Sequence, residues 1–317
     1  MKSIIRYIFL LLFIIPMRLF AQTNAIDYFG QTPPGDSAVV FAPGIISLPD
    51  RLQGKICFSH DGKEFYFTVW GTKFSSCKIY YTKRVNNTWT EQVEAPFSIG
   101  HFCGEPSFSI DGNKLYFDYT PKGILPNILM VQRTPQGWSD PQELPSPINS
   151  DHWDACYLEV SDSIAYFTSN RPGGFDDKGD LYRVRRLSGQ PVQADKLDTT
   201  VNSTSWDACP CVAPDESYLI FTSERPGGHG NSDLYIVFKK QDGGWTEPVN
   251  MERNGSGINI NNKYTNETDP SLSPDGRFLF FSRHTSTATG EQENVYWVST
   301  KVIDDIKNEV FNPIITK

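Results

Sequence analysis

Cysteine and histidine are scarce in this chain: six and five residues among 317. No two cysteines form a C-x-x-C pair, which removes the usual zinc-ribbon signature. The six (Cys57, Cys77, Cys103, Cys156, Cys209 and Cys211) are too dispersed for a small disulfide-built scaffold. The H-E-x-x-H helix, the G-x-S-x-G elbow and a Ser-His-Asp order are also lacking, so no catalytic residue or metal ligand is assigned and no cofactor is expected. Positive charge is in deficit, with 29 Lys and Arg against 37 Asp and Glu. A chain of this balance has no general attraction to nucleic acid or anionic lipid. Beyond the first twenty residues no apolar run is long enough to span a bilayer, so an integral membrane protein is not expected.

The amino terminus has the pattern of an export signal. Lys2 and Arg6 precede an apolar run over residues 7–17, and Leu19-Phe20-Ala21 offers a small residue before a cut. Residues 1–21 are read as a signal peptide, and the mature chain as periplasmic or secreted. Its loss takes Lys2, Arg6 and Arg18, leaving 26 basic residues against 37 acidic ones, a net charge of about −11.

What the chain does have is repetition. Trp153-Asp154-Ala155-Cys156 recurs as Trp206-Asp207-Ala208-Cys209. F-T-S-N-R-P-G-G from Phe167 recurs as F-T-S-E-R-P-G-G from Phe221, and Asp180-Leu181-Tyr182 recurs as Asp233-Leu234-Tyr235. The offset is 53 or 54 residues, a period that marks a repeat architecture. A turn of S-x-D-G type opens the units at Ser59–Gly62, Ser109–Gly112 and Ser273–Gly276. It is altered at Ala213–Glu216 and degenerate at residues 160–163. Asp and Gly suit tight hairpins. β-branched and aromatic strands follow, and aromatics make up 13% of the chain. Turn-plus-Trp segments at Trp89, Trp138 and Trp245 introduce a fourth strand.

Four strands per unit of about fifty residues predict an all-β fold, a β-propeller of five four-stranded blades. The blades are expected over about 54–100, 104–150, 154–203, 207–253 and 268–300. The last lacks its own fourth strand, and residues 38–47 resemble the end of one, so an N-terminal strand is expected to close the ring and remove an open edge. Residues 22–37 are read as a linker, 38–300 as one domain and 301–317 as a short helical tail.

The segments E-P-S-F-S-I-D-G-N-K-L-Y-F from Glu105 and D-P-S-L-S-P-D-G-R-F-L-F-F from Asp269, with the D-L-Y triplets, resemble the PD40 repeat, the WD40-like or TolB-like propeller repeat. The resemblance covers about residues 38–300. Together S-N-R-P-G-G and D-L-Y also resemble propeller modules of cell-envelope proteins that carry a peptidoglycan-binding domain, a domain not expected within these residues. The resemblance implies an extracytoplasmic scaffold or binding role and brings no catalytic residues with it.

In a propeller, the loops entering each blade and those joining its second and third strands share one face. That face collects the unusual side chains: Trp70, His101, Glu105, His152, Trp153, Asp154, Arg171, Trp206, Asp207, Arg225, Asp269 and His284. Two readings compete for them. Arg171 and Arg225 can pair with Asp154 and Asp207, or with Asp180 and Asp233, to fix blade packing. Alternatively they fork onto carboxylates of an acidic glycan or a chain terminus, with the tryptophans stacking on it. The expected function is non-catalytic binding of a protein or of an envelope or extracellular glycan. The alternative is a glycan-active lyase or hydrolase that uses acids such as Glu105 and Asp269 with the histidines. An acidic loop over residues 176–180 could hold calcium but lacks the closing Glu of an EF-hand. The cysteines are read first as buried free thiols; Cys77 and Cys103 fall on the same face in adjacent blades and are the candidate disulfide.

Overall fold

A computed structural model describes residues 26–121, 125–173, 178–252, 259–287 and 290–312. The expected signal segment, and residues 176 and 177 of the acidic loop, lie outside these residues. Among the described residues no helix is long and apolar enough to cross a membrane.

The chain forms five antiparallel sheets arranged as the blades of a β-propeller. A short strand, β1 (Val39–Val40), precedes them. Blade 1 contains β2 (Leu52–Phe58), β3 (Glu64–Trp70) and β4 (Cys77–Val85), with its outer strand in two pieces, β5 (Thr88–Trp89) and β6 (Val93–Glu94). Blade 2 repeats this with β7 (Cys103–Phe108), β8 (Lys114–Tyr119), β9 (Asn127–Thr134), β10 (Gly137–Trp138) and β11 (Gln142–Glu143). Blade 3 is β12 (Asp154–Ser161), β13 (Ile164–Ser169), β14 (Asp180–Leu187) and β15 (Gln190–Lys196). Blade 4 is β16 (Asp207–Val212), β17 (Tyr218–Ser223), β18 (Asp233–Phe238) and β19 (Val249–Asn250). Blade 5 is β20 (Asn266–Leu272), β21 (Phe278–Thr287) and β22 (Gly290–Ser299), completed by β1.

The closure is shorter than the sequence suggested. Val39 pairs with Trp297 and Val40 with Tyr296, and the Phe41 N–H donates to Val295 O. Pairing then stops, because Ala42 and Gly44 turn at positive φ and Pro43 has no N–H to give. The rest of the segment acts through its side chains. Phe41 and Ile46 are fully buried between blades 5 and 1, among Phe58, Phe65, Phe280 and Trp297. Tyr28 and Phe29, inside the stretch expected to be a linker, pack here too. The Tyr28 hydroxyl donates to Asp275, and Phe29 stacks on Trp89.

The hairpin turns follow from their residues. Ser59 Oγ donates to Asp61 and accepts the Glu64 N–H, while Gly62 takes a positive φ of 67°. Ser109, Asp111 and Gly112 repeat this arrangement, as do Ser273, Asp275 and Gly276. The apolar core lies mostly between neighbouring blades in successive clusters. The tail forms α1 (Lys301–Phe311), which buries Val302, Ile303 and Ile306 where blades 4 and 5 meet.

One irregularity recurs in all five blades and creates the site. The inner strand of each carries a one-residue bulge: between Gly54 and Ile56, Gly104 and Ser107, Ala155 and Leu158, Ala208 and Cys211, and Thr268 and Ser271. Lys55, Glu105, Cys156, Cys209 and Asp269 occupy equivalent places in these bulges. The last four have φ between 53° and 56°, in the left-handed region. The next blade back supports three of them. Glu105 N–H donates to Thr68 Oγ1, Cys156 N–H to Asp118, and Cys209 N–H to Thr168 Oγ1.

Candidate functional site

The bulges bring these side chains together around the propeller axis. Above them, on the blade-entry face, a cavity of about 850 Å³ opens. Its wall is aromatic. Trp70 meets Phe74 and Phe102 edge-on, at 5.4 and 6.0 Å between ring centres, and Phe74 lies 5.7 Å from His284. Across the cavity, Trp153 and Trp206 from adjacent blades close on Gly179. A Cβ there would stand 3.0 Å from Trp153 and 2.8 Å from the Trp206 indole nitrogen. Any side chain at position 179 would therefore press on both indoles.

The floor is acidic. Glu105, Asp118, Asp269 and Glu293 all line the cavity. Below them Lys55 is buried, its ammonium donating to Pro270 O at 2.9 Å. Burial opposes the Lys55 charge, but Glu105 and Asp269 outweigh it and raise its pKa. The carboxyls outnumber this one buried cation. Burial, and then the charge of Asp269, pushes Glu105 well above the carboxylate range. Burial does the same to Asp118. Burial, with Asp269 and Glu291 behind it, brings Glu293 up to about 8. Among the described residues, Glu105 Oε2, Glu293 Oε2 and His284 Nε2 find no hydrogen-bond partner. The floor thus keeps protons or attracts positive charge.

A pH dependence follows from Glu293. Its folded-state pKa exceeds the ordinary 4.5, so between that value and about 8 the native state holds more protons than the unfolded one. Stability therefore falls as pH rises through this window. Glu293→Gln is expected to melt higher than the parent at pH 8 and to flatten the melting temperature between pH 5 and 8. An unchanged slope would contradict this assignment.

The expected site residues divide into two groups. Trp70, Glu105, Trp153, Trp206, Asp269 and His284 line the cavity. Asp154, Arg171, Asp207 and Arg225 do not. They form paired modules beside it, and the acids they use are Asp154 and Asp207. Arg171 donates to Asp154 at 2.7 Å, to Ser169 Oγ and to the carbonyls of Pro147 and Ile148. Arg225 donates to Asp207 at 2.8 Å, to Ser223 Oγ and to Val201 O. Each guanidinium also lies over two rings of its own blade, Phe167 with Tyr182 and Phe221 with Tyr235. Asp180 instead meets Lys196, and Asp233 accepts the His229 and Gly230 N–H groups. Of the pairings open to the two arginines in sequence, those with Asp154 and Asp207 are formed.

His101 is exposed at the edge of Tyr119, and the His152 N–H is held by Ser150, so neither joins the cavity wall. All six cysteines are free thiols. Cys77 and Cys103 are buried but not bridged, and the sulfur pair in contact is Cys156 with Cys209, at 3.1 Å. Sequence reasoning missed Lys55, Asp118, Cys156, Cys209 and Glu293. Lining up the residue after each Gly/Ala/Thr of the inner strands, at Gly54, Gly104, Ala155, Ala208 and Thr268, would have found three of them.

No family model matches this chain, and no curated protein matches it. Among solved structures, a putative TolB from Agrobacterium tumefaciens superposes with a TM-score of 0.50 at 14% identity, over 78% of this chain and 90% of that one. An α-L-arabinofuranosidase from Lactobacillus brevis gives the same score and identity over 80% and 91%. TolB from Acinetobacter baumannii gives 0.46 at 16% identity, and the match spans 57% of its length. At these identities the likeness is one of fold: the chain is a five-bladed propeller with TolB-like and glycosidase-like structural neighbours.

Proposed function

We propose that this chain is an extracytoplasmic binding propeller that receives the end of a protein or envelope ligand in its axial cavity. The observation that carries this is the composition of the cavity. Trp70, Phe102, Trp153 and Trp206 wall it, while Glu105, Asp118, Asp269 and Glu293 floor it. The nearby arginines are already committed to Asp154 and Asp207. Aromatic faces over carboxylates suit a cation, through ring quadrupoles and direct charge. The ligand end is therefore cationic or neutral: a Lys or Arg side chain, an N-terminal amine or an amine-bearing sugar. A cation favours the charged form of these carboxyls, and an acidic glycan opposes it.

Calorimetric titration with short lysine- or arginine-bearing peptides and with amino-sugar oligomers tests this. Binding is expected for one of these classes and is lost in Trp153→Ala and Trp206→Ala, which keep their cooperative melt. Binding unaffected by either change would remove the cavity from the account.

A catalytic reading rests on Glu105 and Asp269. A carboxyl that burial holds well above the carboxylate range, with a second carboxyl lining the same cavity, is a starting point for a general acid with its base or nucleophile. Turnover of a chromogenic glycoside that disappears in both Glu105→Gln and Asp269→Asn would favour it over binding alone.

A further inference from the structure

We propose that the floor of the axial cavity is a binding site for a thiophilic divalent metal ion of the zinc class, held by Cys156, Cys209 and Glu105. The ligand atoms of these three residues lie within 4.8 Å of one another, and the two sulfurs within 3.1 Å. A single ion can touch all three after small adjustments, since zinc–sulfur and zinc–oxygen bonds are about 2.0–2.3 Å long.

The three residues come from different blades, 2, 3 and 4, and each projects from its bulge at positive φ. Non-glycine residues in this conformation are strained and collect at functional sites. Here that strain is what turns the side chains toward the axis. The bulges of blades 2, 3 and 4 are further fixed by hydrogen bonds to Thr68, Asp118 and Thr168. Both thiols are more than nine-tenths buried.

A second observation points independently to a cation. Glu293 is 4% exposed, lines the same cavity and leaves Oε2 without a partner among the described residues. Glu105 Oε2 is likewise unpartnered. A divalent ion with two thiolates and one carboxylate has a net charge of −1, and the buried Lys55 ammonium offsets that charge. Binding releases one proton from each thiol that was protonated, and one from Glu105 wherever its carboxyl was protonated, so no oxidant is needed. Three protein ligands is the number found in zinc sites that keep a position open, and the open side here is the cavity. The inference goes beyond the ligand reading and is read out without any ligand, so either can fail alone.

The test uses the mature chain, purified under reducing conditions and dialysed against chelator, with cobalt(II) as a coloured stand-in for zinc. Uptake of a single equivalent is expected, with a thiolate-to-cobalt charge-transfer band, both displaced by zinc. Cys156→Ser and Cys209→Ser lose the band, and Glu105→Gln weakens it. Cys211→Ser, in the core between blades 4 and 5, keeps it. The proposal is overturned if the parent takes up no cobalt or shows no charge-transfer band. It is overturned equally if Cys156→Ser with Cys209→Ser keeps the parent spectrum. It also fails if the isolated protein carries a Cys156–Cys209 disulfide and, once reduced, binds no metal.

Discussion

A chain lacking residues 38–47 is expected to lose its cooperative melt. This segment contributes only two paired residues to blade 5, so the effect arises mainly from packing. Phe41 is fully buried and meets Phe29, Phe58, Phe65, Phe280 and Trp297, with ring centres between 5.0 and 6.3 Å. Fully burying such a side chain stabilises by about 1.5–3 kcal/mol, and truncating one leaves a cavity costing about 3–5 kcal/mol. Ile46, Ala38 and Ala42 are buried as well. The deletion removes these together and exposes the edge of β22, so the loss approaches the whole stability of a domain, about 5–15 kcal/mol. Phe41→Ala is the milder form and should melt lower while staying cooperative. A deletion variant that melts like the parent would show that the ring closes by some other contact.

Arg225→Ala is expected to cost about 3–5 kcal/mol, because it strands a buried carboxylate. Asp207 has no exposed side-chain surface and Arg225 keeps 14% of its own. Asp207 retains Ser203 as a partner, but Ser223 Oγ and Val201 O lose theirs. The same loss is expected for Arg171→Ala, and for Arg283→Ala in blade 5. There Arg283 bonds Glu267 at 2.8 Å and the carbonyls of Asn259 and Ile260. Arg225→Lys should rescue little, since an ammonium cannot reproduce a fork spread over an acid, a hydroxyl and a carbonyl. Thermal melts of the three variants check this, with drops of about 10 °C expected for a domain of this size. Unchanged melting with altered ligand binding would return these arginines to the recognition surface.

The repeats made the fold legible. S-x-D-G turns, F-T-S strands and D-L-Y strands carry their own local chemistry, and the spacing counts the blades. The missing fourth strand of blade 5 was visible for the same reason. Its short length was not, because Ala42 reveals its positive φ only in three dimensions. The floor was hidden by the bulges. Simple alternation along an inner strand does not predict which residue faces the axis, and one inserted residue changes that direction. Lys55 and Cys156 share a position without sharing chemistry, so no motif marks it. Arg171 and Arg225 illustrate the opposite case. They were conspicuous in sequence, and the pairing with Asp154 and Asp207 that their repeated context offered is the one formed.

The measurement that most directly tests the axial cavity as the binding site is a calorimetric comparison of matched peptides, one ending in lysine and one in glutamate. It uses the parent chain beside Trp153→Ala, Trp206→Ala and Arg225→Lys. The lysine peptide is expected to bind the parent and Arg225→Lys, to weaken with salt and to bind neither tryptophan variant. Tight binding of the glutamate peptide, lost in Arg225→Lys and retained by the tryptophan variants, would contradict it.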